Sequence, residues 1–135
     1  MGSSQLKREL NELSLVAAGA IPGALLRWRL ESLGGSWFAG AGDLAANLAG
    51  CLLLGLLLGR PTPAARLMLW GGIGFCGSLT TFSGWMLELV RALERGAPLT
   101  ALSLLLTSLL GGLALVWLGR LVGRRWFRPR GRRSS

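Results

Sequence analysis

Residues Trp70 to Trp85 read WGGIGFCGSLTTFSGW, a run that an ordinary helix does not favour. Gly71, Gly72, Gly74 and Gly77 crowd its first half, and each weakens a helix by about 1 kcal/mol relative to Ala. Thr80, Thr81, Phe82 and Ser83 follow at once. Backbone opened at membrane depth persists only where protein or a water-filled site takes up its freed polar groups. Freed carbonyls can bind a cation. Freed amides, and the positive end of the helix half that follows, can face an anion. The alternative is that the glycines serve only close packing.

The surroundings put this run in a membrane. Residues 13–33, 37–58, 67–90 and 99–122 are mostly apolar, each about 20 residues long, the length a bilayer span needs. They are apolar on all sides rather than along one stripe, so their outer faces call for lipid. Turn signals fall between them at Gly34-Gly35-Ser36, Arg60-Pro61-Thr62-Pro63 and Arg95-Gly96-Ala97-Pro98. Such short connections make neighbouring helices antiparallel. The expected fold class is an all-α membrane protein with four transmembrane helices, the third of them broken. It divides into a polar N-terminal segment (1–12), a four-helix domain (13–122) and a basic tail (123–135). The polar start mixes acids with Lys7 and Arg8, which is not signal-peptide anatomy, so the first span is expected to be retained.

Composition argues against enzyme chemistry. The 135 residues include 2 Cys and no His, which removes the usual partner of a Ser or Cys nucleophile and makes a zinc site implausible. Cys51 and Cys76 lie inside predicted spans, where a structural disulfide is not expected. The net charge of +9 gathers beyond Arg120, and an arginine run joined to a span contacts anionic headgroups rather than nucleic acid. With Lys7, Arg8, Arg60 and Arg66 it outweighs Arg27, Arg29, Arg91 and Arg95 on the other side, which predicts cytoplasmic termini, with dual topology as the alternative, in a cell membrane (plasma or inner membrane).

Small residues recur at four-residue spacing, at Gly19 and Gly23, at Gly42, Ala46 and Gly50, and at Gly55 and Gly59, as close helix packing in lipid requires. Asn47, set among Leu and Ala, must be paired or line a water path. Arg27 and Arg29 can raise anion concentration at a pore mouth or extend to headgroups. Ser103, Thr107 and Ser108 can form a polar track in the fourth span or bond their own backbone.

Three strings together resemble the Fluc/CrcB family of fluoride channels. Gly74-Phe75-Cys76-Gly77-Ser78-Leu79-Thr80-Thr81-Phe82-Ser83, with Glu88 beyond it, looks like that family's third-helix signature. Gly19-Ala20-Ile21-Pro22-Gly23-Ala24-Leu25-Leu26-Arg27 resembles its first-helix pattern, and Gly42-Asp43-Leu44-Ala45-Ala46-Asn47-Leu48-Ala49-Gly50 its second. The resemblance implies a passive, selective fluoride channel that exports fluoride from the cytoplasm. It also implies an antiparallel (inverted) dimer with structural Na+ at its centre, held by backbone at Gly77 and Thr80. A fluoride pathway of Asn47, Phe82, Trp85, Ser83, Ser108, Thr81, Arg27 and Glu88 is implied in the same way. Fluoride is strongly hydrated, so such a path must replace water with many donors, including amide, hydroxyl and aromatic ring edges.

The chain departs from the family at three points. Asp43 stands where a Thr is usual and can repel an anion or pair with an Arg. Trp85 replaces the second pore phenylalanine, and there is no Tyr. With the charge bias, these departures suggest a partner subunit of a heterodimer with a paralogous chain rather than a homodimer, or one that does not conduct alone. A small proton-coupled multidrug exporter is the rival transporter reading, but Glu31 lies beyond Arg27 and Arg29, near the interface. A non-transporting membrane subunit would need only the small-residue faces and the basic tail.

Overall fold

The computed structural model describes residues 2–33, 41–62 and 64–127. The first turn signal at 34–36, the start of the second span at Trp37, Pro63 and the tail from Arg128 lie outside them. All described secondary structure is helical, in four helices. The first, Ser3–Leu33, contains Pro22 and extends through the polar residues that precede the apolar run. The second is Ala41–Leu58, and the fourth is Pro98–Trp126. Among the described residues, length and composition mark the first and fourth helices as long and apolar enough to cross a membrane.

The third helical region is the most irregular, the fourth being wound as a π-helix only at Thr107–Gly111. Ala65–Leu67 is α-helical, Met68–Cys76 is wound as a π-helix, and Gly77–Leu79 returns to α. Thr80 (φ −80°, ψ 147°) and Thr81 (φ −136°, ψ 129°) are extended, and helix resumes at Phe82–Glu94. The glycines are therefore wound wide, and the extended pair follows them. Gly77 N–H reaches back to Gly72 O, a bond one residue longer than an α-helix makes. Close approach explains Gly74, because a Cβ there would collide with the Val16 carbonyl of the first helix. Gly19 faces the Trp70 carbonyl across the same contact.

The first helix packs on residues 68–79 and the second on the last half of the fourth. Gly55 and Gly119 bring the latter pair together. A Cβ on Gly55 would strike Val116 O, and one on Gly119 would strike Leu52 O. Phe82–Glu94 closes with a Schellman motif, in which Ala97 N–H bonds Ala92 O and Gly96 N–H bonds Leu93 O, both at 2.9 Å. Gly96 takes φ 68° to make it, and Pro98 then opens the fourth helix. The expected 95–98 turn is borne out.

Candidate ion site

The two extended threonines are held by a side chain from another helix. Asn47 Oδ1 accepts from Thr81 N–H at 2.7 Å, and Asn47 Nδ2 donates to Thr81 O at 3.0 Å. Both polar backbone groups of Thr81 are thereby satisfied, as buried backbone requires. Thr81 in turn caps the helix after it, its Oγ1 accepting from Gly84 N–H at 3.3 Å. Thr80 Oγ1 bonds Cys76 O at 3.0 Å and lies 3.5 Å from Gly77 O.

The interruption leaves backbone oxygens open. Thr81 N–H turns to Asn47, so Gly77 O keeps only the long contact from the Thr80 hydroxyl. Among the described residues Thr80 O has no hydrogen-bond donor. Backbone carbonyls are the oxygen ligands that hard cations take. Gly77 and Thr80 thus fit a sodium ion in ligand chemistry.

Beside them opens a cavity of about 410 Å³, lined by Asn47, Gly77, Thr80, Thr81, Phe82, Trp85 and Ser108 among others. Phe82 and Trp85 have ring centroids 5.6 Å apart, with planes tilted by 53°. Two donors of cavity-lining residues, Trp85 Nε1 and Ser108 Oγ, are buried without a partner among the described residues. Phe82 is 71% exposed in the single chain, and Gly77 is exposed too. Polar groups open on a lipid-facing surface need water or another protein to satisfy them.

Three expected pathway residues stand outside this lining. Ser83 Oγ lies 3.3 Å from Thr81 Oγ1 on the exposed side, Arg27 Nε is 3.3 Å from Glu31 Oε1, and buried Glu88 accepts from Arg91 Nη1 at 2.8 Å. Asp43 also stays off the cavity and, among the described residues, makes no ion pair with an arginine. Its carboxylate packs on Gly84, in the first turn of Phe82–Glu94, where the helix dipole favours negative charge. Ser103 bonds Thr100 O at 2.8 Å, the local alternative to a polar track.

The profile of the family described as CrcB-like protein, Camphor Resistance (CrcB), matches residues 14–120. The chain belongs to the CrcB family. A Parasynechococcus marenigrum (strain WH8102) protein named Fluoride-specific ion channel FluC 2 is 49% identical over 132 residues, 98% of this chain and 96% of its own. A Prochlorococcus marinus (strain MIT 9313) protein of the same name is 44% identical, with 93% of this chain and 92% of its own covered. A Pseudomonas putida (strain F1) protein named Fluoride-specific ion channel FluC is 42% identical over 79% of this chain and 92% of its own. The resemblance read from three motifs is borne out, and this CrcB chain is a membrane protein.

Sequence reasoning left out several cavity residues of the CrcB chain, among them Gly50, Cys51 and Leu54. With Asn47 they fall at i, i+3, i+4 and i+7, one face of the second helix, and that periodicity was the available signal. Cys76 was legible only as part of a motif.

Proposed function

We propose that this chain is a subunit of a passive, selective fluoride channel that lets fluoride leave the cytoplasm. The carrying observation is the cavity walled by Asn47, Phe82, Trp85 and Ser108, where the Trp85 N–H and the Ser108 O–H are buried and, among the described residues, unpaired. Such donors can replace part of fluoride's hydration shell, and the tilted rings add positive edges. The names of the relatives agree with that chemistry.

Asn47 fixes Thr81, Thr81 caps Phe82–Glu94, and the positive end of that helix points back toward the extended pair. Gly77 and Thr80 carbonyls would hold Na+ at the contact between two inverted subunits, and bound there it would supply positive charge and join the two chains. The third helical region, with its interruption at membrane depth, serves as one broken span in this reading. The polar start, four-helix domain and basic tail keep the boundaries 1–12, 13–122 and 123–135, with the termini cytoplasmic.

The test is fluoride efflux from liposomes holding the purified protein, with chloride as comparison. Fluoride efflux without chloride efflux is expected, and Phe82→Ile should abolish it while the subunits still assemble. Substrate-driven proton movement without fluoride flux would instead support an exporter. The second reading, a partner subunit in a heterodimer, is favoured by Trp85 in the cavity wall and by the charge bias of the chain.

A further inference from the structure

The end of the second helix and the last turns of the fourth enclose a second cavity, of about 780 Å³, which shares no lining residue with the proposed ion path. Leu58, Gly59, Arg60, Pro61, Arg120 and Arg124 line it, with Leu121 and Arg125. Gly59 makes the two helices touch, since a Cβ there would come within 2.6 Å of Arg120 O. Arg60 is half-buried, and its guanidinium carbon sits 4.4 Å from the centre of the Phe127 ring. Among the described residues none of these arginines pairs with an acid. No acid follows Glu94 anywhere in the sequence.

Four guanidinium groups gathered without a counter-charge constitute an anion site, and the fork of each matches a phosphate. The surroundings identify which phosphate. Trp126 is 78% exposed and Trp117 66%, the placement of aromatic residues at a membrane–water boundary. Leu58, Leu118 and Val122 are exposed apolar side chains on the same helix ends, suited to acyl chains rather than to a soluble ion. Basic pockets between membrane helices bind anionic headgroups in this way.

We infer that this cavity is a specific site for an anionic phospholipid, with its phosphate held by Arg60, Arg120, Arg124 and Arg125 and its acyl chains lying along Leu58 and Leu121. The site requires no ion conduction, so its test stands apart from the channel reading. The full chain, delipidated in a neutral detergent, is titrated with phosphatidylglycerol or with phosphatidylcholine of the same acyl chains, and bound lipid is read by native mass spectrometry. Saturable binding of phosphatidylglycerol alone is expected. Arg60→Gln and Arg124→Gln should each weaken it about fivefold, the effect of one basic group at a lipid surface. Arg95→Gln, which removes a charge before the opposite end of the fourth helix, should leave it unchanged. Equal retention of both lipids would overturn the inference, as would unaltered binding by the Arg60 and Arg124 variants. Inorganic phosphate that competes as tightly as the lipid would mark a free-anion site and overturn the lipid assignment. Should the variants fail to fold, the comparison of lipids and phosphate on the unmodified chain decides.

Discussion

Asn47 commits both ends of its amide to the backbone of Thr81, and that commitment makes its substitutions separable. Asn47→Ala leaves one N–H and one C=O without partners, a loss of about 1–3 kcal/mol for each group that stays dry. Asn47→Asp keeps the acceptor for Thr81 N–H and turns its other oxygen on Thr81 O. Both variants should melt earlier in detergent and lose fluoride flux, whereas flux lost at an unchanged melting temperature would show that Asn47 does not hold Thr81. Trp85 permits the opposite experiment. Trp85→Phe keeps an aromatic ring and removes the buried, unpaired Nε1–H. If that donor serves fluoride, flux should fall about two- to thirteenfold, the equivalent of a hydrogen bond of about 0.5–1.5 kcal/mol. A rise in flux would mean that the indole obstructs the path. Asn47 was legible as a polar residue that needed a partner. That the partner is backbone was not, because an extended pair 34 residues away does not register in a local pattern.

At the scale of elements, the glycines divide by what they do, and two substitutions distinguish their roles. Gly119 lets the fourth helix lie on the second, and a Cβ there meets the Leu52 carbonyl, which backbone geometry holds in place. Gly119→Ala should destabilise by about 1–3 kcal/mol through overpacking. Gly96→Ala has open space around it and φ 68°, so its cost is conformational alone, about 1–2 kcal/mol. Thermal unfolding of each variant checks the magnitudes, and pairing Gly119→Ala with Leu52→Ala should restore little, because the obstacle is main chain. The four helical regions were readable from hydropathy, and the 95–98 turn, read from Gly and Pro placement, folds as read. The irregularity in the third region was readable only as a weakness. Close packing on Val16 and the wide π-turns absorb the glycines, while the extended conformation falls on Thr80 and Thr81, where the Asn47 amide and the Thr81 cap offer replacement bonds. Glycine content announces a loosened helix, but the available partners choose where it opens.

For the whole molecule, the decisive imbalance is polar surface that lipid cannot satisfy. Thr80 O and Gly77 O open on one cavity beside exposed Phe82, and in the proposed dimer a second protein surface would cover them in the bilayer. An inverted copy of the same face can do so only if some chains insert in the opposite sense. The basic residues oppose this, since Arg60, Arg66 and the C-terminal arginines mark one side against Arg27, Arg29, Arg91 and Arg95. The chain expressed alone should therefore insert in one orientation and give weak fluoride flux, while co-expression with a paralogous chain of opposite bias should give strong flux. Removing residues 128–135 deletes Arg128, Arg130, Arg132 and Arg133 and weakens the bias. It should raise the flux of the chain expressed alone, measured as fluoride efflux from membrane vesicles, and raise in parallel the fraction of C-termini reached by protease added to intact cells. Strong, chloride-excluding fluoride flux from the unmodified chain alone would show that its two orientations are already balanced, and the heterodimer reading would then fail.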